Sequence, residues 1–144
     1  MKLLACPKCH QQLHLENKTL KCENNHCYDI SKRGYINLLL NPDKATNNPG
    51  DSKESLVARK AYLNKGYYDP ILDQVITCID EFKHQDDLSI LDLGCGEGYY
   101  TQGLKKHFEN SDIYGLDISK IAIDMATRYR KDVTCLLYTS DAAD

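Results

Sequence analysis

No run of apolar residues in this chain approaches the roughly 20 that a helix needs to cross a bilayer, so a helical membrane span is not expected. The opening Met1-Lys2-Leu3-Leu4-Ala5 is too short for the apolar core of a secretory signal. A cytoplasmic location with no membrane partner is the expectation. Positive charge is not in surplus either. The formal net charge is −3, which speaks against generic nucleic-acid binding. Two phosphate-binding signatures are also missing. No G-K-[ST] follows the glycine-rich run, so a P-loop is excluded. The third glycine of a dinucleotide G-x-G-x-x-G is replaced by Tyr99.

What is present is a soluble, globular composition: 27% charged and 42% apolar over 144 residues, enough for one ordinary domain or two small ones. The charge is unevenly spread. Residues 1–50 hold seven Lys/Arg against four Asp/Glu, and residues 51–144 hold eleven against seventeen. A basic N-terminal end is compatible with an RNA-touching module.

Seven cysteines are many for a reducing compartment, and an odd count with close spacing argues for metal rather than a disulfide framework. Cys6-Pro7-Lys8-Cys9 is a C-x2-C knuckle, and Cys22 followed by His26 and Cys27 supplies a second turn. Soft thiolates plus an imidazole suit a closed tetrahedral zinc site with one pair on each hairpin tip. His26 and Cys27 are adjacent, and either could be the fourth ligand. Leu13, Leu15 and Leu20 fall in the connecting strands. About 40 residues cannot build a self-sufficient core, so metal is expected to hold this module together. His10 and His14 read as surface residues. Cys78 reads as a small core residue on an amphipathic helix.

Ile90-Leu91-Asp92-Leu93-Gly94-Cys95-Gly96-Glu97-Gly98 carries the most information. It predicts a buried parallel strand, a tight turn and a helix opening at about Tyr99. Glycines at alternate positions let backbone approach a ligand where a Cβ would clash, and the helix N-terminus offers N–H groups. Glu97 inside the loop would repel a pyrophosphate but suits a cationic cofactor, such as the ammonium and sulfonium of S-adenosylmethionine. Ile113 to Asp117 predicts a second strand ending in a carboxylate, placed for ribose hydroxyls. Cys95 needs only to be compact; nothing marks it as a nucleophile.

Between these motifs, Lys32 to Leu40 reads as a turn and a short extended segment that closes the ribbon. Asn41 to Gly50 is rich in asparagine and proline and reads as a linker. Asp51 is the expected cap of a helix running to about Lys65, with Gly66 as its stop. Asp69-Pro70 should open another helix, with Asp69 as N-cap. Its stripe Ile71, Leu72, Val75, Ile76, Ile79 and Phe82 reads as core packing. Tyr67 and Tyr68 suit packing with a wet hydroxyl, or contact with a cofactor or base. Arg59 and Lys60 suit a solvated face or phosphate contacts. Ser119 should cap a helix with Ile121, Ala122, Met125, Ala126 and Tyr129 inward, and Val133-Thr134 should begin a third strand. The fold class is therefore α/β: a small N-terminal zinc ribbon followed by the first half of a Rossmann-like, doubly wound domain.

The order of motifs resembles the bacterial 23S ribosomal RNA guanine-N1 methyltransferases over roughly residues 1–134. The resemblance is carried by the C-x2-C and C-x3-H ribbon, Arg33 to Leu39, Pro49-Gly50-Asp51-Ser52, Gly66-Tyr67-Tyr68, Leu91 to Thr101 and Gly115 to Lys120. It implies methyl transfer from S-adenosylmethionine to N1 of a guanine in an rRNA hairpin, with 23S rRNA as partner; a homodimer is left open. Residue by residue it implies zinc on Cys6, Cys9, Cys22 and His26. It implies cofactor contacts from Tyr68, from Gly94, Gly96, Glu97 and Gly98, and from Asp117 at the ribose. Guanine N1 lies on the Watson–Crick edge, so the base must be unpaired or flipped out. No residue stands out as the base that removes its proton.

The expected organisation is a ribbon at 1–41, linker and helix at 42–69, the N-terminal part of the methyltransferase domain at 70–134, and a tail at 135–144. Cys135 to Asp144 resembles a translated sequencing adapter rather than a continuation of the third strand. Loss of the later strands would leave a sheet edge and an apolar face without partners, and the 144-residue chain is expected to bind cofactor poorly and not to methylate RNA. Two readings compete: a non-catalytic zinc-ribbon RNA-binding module, and a methyltransferase acting on a different substrate.

Overall fold

A computed structural model of the chain describes residues 3–40, 49–83, 88–128 and 132–138. Its first hairpin joins β1 (His14–Glu16) to β2 (Thr19–Lys21). Asn17 takes the left-handed conformation at the tip, φ 57°, which asparagine tolerates better than most residues. β3 (Cys27–Asp29) adds antiparallel to β2, with Leu20 opposite Tyr28. Three strands of three residues bury too little to stand alone.

The ribbon gains its core by packing on a second sheet. That sheet contains β4 (Ile36–Asn37), β5 (Ser89–Leu93), β6 (Asp112–Asp117) and β7 (Thr134–Leu137). The order is β4-β7-β6-β5 and every pairing is parallel. Side chains alternate across its faces. Tyr114 and Leu136 join Leu13, Leu20 and Tyr28 of the ribbon in one buried cluster. Ile113, Cys135 and Leu137 join the helices on the opposite face. β5 lies at an edge, and its Leu91 and Leu93 are 55% and 60% exposed on the ribbon-facing side, beyond the ribbon's reach.

The segment Lys32 to Leu40 therefore does more than close the ribbon. Ile30 bridges Ile36, but β4 runs parallel to β7, and the Leu38 N–H donates to the Leu137 carbonyl at 2.9 Å. The reason is that Ile36 and Leu38 alternate onto the shared cluster while Tyr35 faces the helices. β7 runs past the expected boundary at Thr134. Cys135, Leu136 and Leu137 are all buried between β6 and β4. Residues 139–144 lie outside the described residues, as does most of the linker, 41–48.

Four helices complete the described chain. α1 (Lys53–Leu63) is capped by Ser52, whose Oγ accepts from the Ser55 N–H at 3.1 Å. Asp51 is not the cap; it pairs with Arg59 at 3.6 Å. The helix stops at Leu63, two residues short of Lys65, and Gly66 sits in the following turn with φ +81°.

α2 (Asp69–Phe82) has Tyr68 at its N-cap position without a side-chain bond, because the Asp69 carboxylate accepts from the Tyr99 hydroxyl instead. Only half of its apolar stripe is packed. Leu72, Ile76 and Ile79 meet the core, whereas Ile71, Val75 and Phe82 are exposed. α2 crosses α3 (Tyr99–His107) along a narrow line at Gly103, where a Cβ would lie 2.3 Å from Leu72 Cδ2. Cys78 is exposed rather than core, on the side away from that line.

α4 (Lys120–Ala126) is capped by Ser119, which accepts from the Ala122 N–H at 3.2 Å. Ala122, Ile123 and Ala126 are its buried residues; Ile121 and Met125 are half-buried, and Tyr129 is outside the described residues. Among the described residues no helix is long and apolar enough to cross a membrane.

Candidate functional site

The two sequence motifs form two separate constellations. In the ribbon, the two hairpin tips bring one donor atom each from Cys6, Cys9, Cys22 and His26 within 4.8 Å of one another. Cys9 Sγ and Cys22 Sγ are 3.6 Å apart. His26 Nδ1 is 3.5 Å from Cys6 Sγ and 3.4 Å from Cys22 Sγ. A tetrahedral zinc ion with Zn–S of about 2.3 Å and Zn–N of about 2.0 Å sets S···S at about 3.8 Å and S···N at about 3.5 Å. The donor set therefore fits zinc in both chemistry and spacing. Cys27 is exposed and its thiol turns to the Asn25 carbonyl, so it does not join the cluster.

The electrostatics favour a thiolate at Cys6. Burial raises its thiol, but the Tyr28 hydroxyl at 3.1 Å and the backbone N–H groups of Lys8 and Cys9 outweigh that and bring it to about 6. Burial holds the Cys22 thiol up. Tyr28, pushed up by burial and by its bond to Cys6, stays a donor. It is the outer partner that orients a ligand, and sequence inspection alone did not single it out.

The second constellation stands where β5 gives way to α3. Gly94, Gly96 and Gly98 all have positive φ, at +77°, +56° and +89°. A Cβ on Gly94 or Gly96 would meet no atom within 4 Å, so the loop's outer side is open; at Gly98 it would meet Ala126 Cβ at 3.0 Å. The loop is fixed from β6. Gly94 and Cys95 N–H both donate to the Leu116 carbonyl, at 2.8 and 3.0 Å. Asp117 accepts from the Gly96 N–H at 2.9 Å and from the Ser119 N–H at 2.7 Å. Each carboxylate oxygen retains a further lone pair for a ligand.

Glu97 is 4% exposed. Burial raises its carboxyl, opposed by Lys60, Arg59 and the Tyr99 N–H. Below the loop, Thr101 is buried and its hydroxyl donates to Asp92, whose carboxyl is raised by burial. Thr101 supports the loop and was missed because an isolated threonine on a helix carries no sequence signal. Cys95 is buried and its thiol is pushed up by burial, so it is inert. A 230 Å³ hollow lies over the loop, lined by Arg59, Tyr62, Tyr68, Gly94, Gly96 and Glu97 among others. Tyr68 thus shares a wall with Gly94 and Gly96, whereas Gly98 and Asp117 are not among the lining residues. The four residues that could hold a metal lie in the ribbon.

Comparison with known proteins agrees with this division. A zinc-ribbon family model described as RlmA, N-terminal, matches residues 4–46, and a model described as a methyltransferase domain matches residues 84–134. The two matches fall on separate stretches of the chain. The ribbon match spans both cysteine turns and β4, and the methyltransferase match spans the glycine loop, Asp117 and the start of β7.

The chain is 32% identical over 129 residues to the 23S rRNA (guanine(748)-N(1))-methyltransferase of Streptomyces fradiae, covering 89% of this chain and 45% of that protein. It is 30% identical over 138 residues to YxjB of Bacillus subtilis (strain 168), in name a candidate 23S rRNA (guanine-N1)-methyltransferase, covering 91% of this chain and 48% of that protein. The chain spans about half the length of these curated relatives. The solved structure of the plantazolicin methyltransferase BpumL with a pentazolic desmethylPZN analog and SAH overlays 62% of this chain and 41% of that one, with TM-score 0.40 and 22% identity. That likeness is too slight to carry weight.

Proposed function

We propose that this chain carries the zinc ribbon and the cofactor-binding region of an S-adenosylmethionine-dependent methyltransferase acting on N1 of a guanine in a 23S rRNA hairpin. The observation that carries the cofactor reading is the buried Glu97 under an open glycine loop at the N-terminus of α3. A carboxylate there attracts the ammonium and sulfonium of the cofactor and disfavours a pyrophosphate. Gly94 and Gly96 let the loop backbone approach the ligand, Gly98 makes the tight entry to α3, Asp117 receives the ribose hydroxyls, and Tyr68 covers the opposite side. Cys6, Cys9, Cys22 and His26 hold zinc.

The relatives named above support rRNA as substrate. The cofactor supplies an activated methyl group, so the protein's task is to align N1 and accept its proton. The 230 Å³ hollow is below the range of about 300–1,000 Å³ usual for small-molecule sites.

The test is a titration of S-adenosylmethionine followed by backbone amide NMR. Shifts confined to Gly94–Tyr100, Tyr68 and Asp117–Ser119 are expected. Absence of shifts at millimolar cofactor overturns the reading. Methylation assays that compare unmodified 23S rRNA with other acceptors decide the substrate.

A further inference from the structure

The net charge of the chain is negative, yet one surface is strongly basic. A 600 Å³ hollow between α1 and α4 is lined by Arg33, Lys53, Lys60, Lys120 and Arg128, against one carboxylate among the described lining residues, Asp124. Asp124 binds Arg33 at 2.8 Å and Arg128 at 3.2 Å, which fixes both guanidiniums along the hollow without cancelling the excess of positive charge. A second hollow of 440 Å³ on the ribbon side is lined by Lys18, Lys32 and again Arg33. Arg33 belongs to both, so the cations form one track from the ribbon hairpin to α1.

α1 connects this track to the loop site. Lys53, Val57 and Lys60 line the basic hollow, while Arg59, Tyr62 and Leu63 of the same helix line the hollow over the glycine loop. At the end of α1 three partly exposed tyrosines cluster. Tyr62 lies 5.3 Å from the Tyr67 ring and 6.0 Å from Tyr68. A cationic groove leading to clustered exposed rings is what single-stranded nucleic acid needs, with phosphates held by charge and bases stacked on aromatic faces. An acidic protein segment would use the cations but not the rings.

We propose that the track through Arg33, Lys53, Lys60 and Lys120 is the docking surface for the backbone of an RNA strand whose bases stack at Tyr62 and Tyr67. This rests on the function proposed above. It assigns the RNA-contacting role to the seam between the modules rather than to the ribbon alone, with Arg33 as the shared residue. The seam is rigid because β4 of the ribbon segment is a strand of the larger sheet.

The test measures binding of the 144-residue chain to a labelled rRNA hairpin across a salt series. The triple variant Lys53→Gln/Lys60→Gln/Lys120→Gln should lose at least about 10-fold in affinity. Its slope of log K against log salt should flatten by about 2, since each single-strand phosphate contact contributes about 0.7. Tyr62→Leu/Tyr67→Leu should weaken binding with the slope unchanged. Lys106→Gln, on α3 away from the track, should change neither. Circular dichroism confirms that each variant is folded. If the triple variant binds RNA with wild-type affinity and slope while the cofactor shifts persist, the docking surface is overturned and the functional reading stands. If heparin competes equally and the tyrosine variant binds as wild type, the surface is a general anion site and the proposal fails. If RNA binding follows the track but cofactor shifts are absent, the docking surface stands and the methyltransferase reading falls.

Discussion

The Asp117 carboxylate at the end of β6 accepts the backbone N–H of Gly96, 21 residues earlier, at 2.9 Å. The acid at one strand end thus shapes the glycine turn at the neighbouring strand end. Its second oxygen caps the turn into α4 through the Ser119 N–H. One side chain couples the loop after β5 to the turn into α4.

Asp117→Ala removes a carboxylate acceptor from two backbone donors. The expected cost is about 2–3 kcal/mol of stability, with loss of cofactor-induced NMR shifts. Asp117→Asn keeps one oxygen acceptor and should recover part of the stability but little of the binding. Thermal melts of the pair check this; equal melting of wild type and Asp117→Ala would show that the clamp is not used.

Glu97 gives a prediction with a defined sign. Burial raises its carboxyl above the unfolded value. In the window between the two values the folded state binds more protons than the unfolded one, so stability falls as pH rises through that window. Glu97→Gln should therefore melt higher than wild type at pH 7, with the difference shrinking below about pH 4, near the unfolded carboxyl value. The same variant should bind cofactor at least about 10-fold more weakly. A variant that melts lower at pH 7 would mean that the carboxylate is a structural asset.

Zinc should hold more than the ribbon. Tyr114 and Leu136 of the larger sheet share the ribbon's core, so chelation is expected to lower the melting temperature of the whole chain and speed amide exchange at Leu136 and Leu137. Elemental analysis should find one zinc per chain in wild type and in Cys27→Ser, and a severe loss in Cys6→Ser or His26→Ala. Unchanged exchange in β7 after chelation would show that the ribbon is an independent unit.

Gly98 has both a backbone and a contact reason to be glycine: its φ is +89°, and a Cβ there would lie 3.0 Å from Ala126 Cβ. Gly98→Ala should cost about 1–3 kcal/mol. Adding Ala126→Gly relieves the contact but not the dihedral. Partial recovery in a denaturant midpoint assigns the contact share, and no recovery assigns the cost to the backbone.

Local patterns were legible wherever chemistry demanded particular residues at close spacing. The two cysteine turns, the glycine loop between a strand and a helix, and the acid ending the next strand are each short-range requirements. Capping was less legible. Ser52 rather than Asp51 closes α1, since neighbouring polar residues compete for one role and the helix phase decides. The stripe on α2 overstated burial because periodicity records an apolar face without saying how wide its partner is. At Gly103 the contact is one ridge wide, and Phe82 is left 78% exposed.

The sequence by itself determined which cysteines and histidine could gather and where the left-handed glycine turn falls, because close donor spacing and left-handed turns act over a few residues. Tertiary structure decided how the modules meet. That Ile36 pairs with Leu136, a hundred residues away, as well as bridging Ile30 depends on which strand edge lies beside it. The turn likewise brings His26 beside Cys6 and Cys22 and points the Cys27 thiol to the Asn25 carbonyl, which only the tertiary structure shows. The basic track exists only because Arg33, α1 and α4 are brought together by that docking, and no local pattern of charge along the chain encodes it.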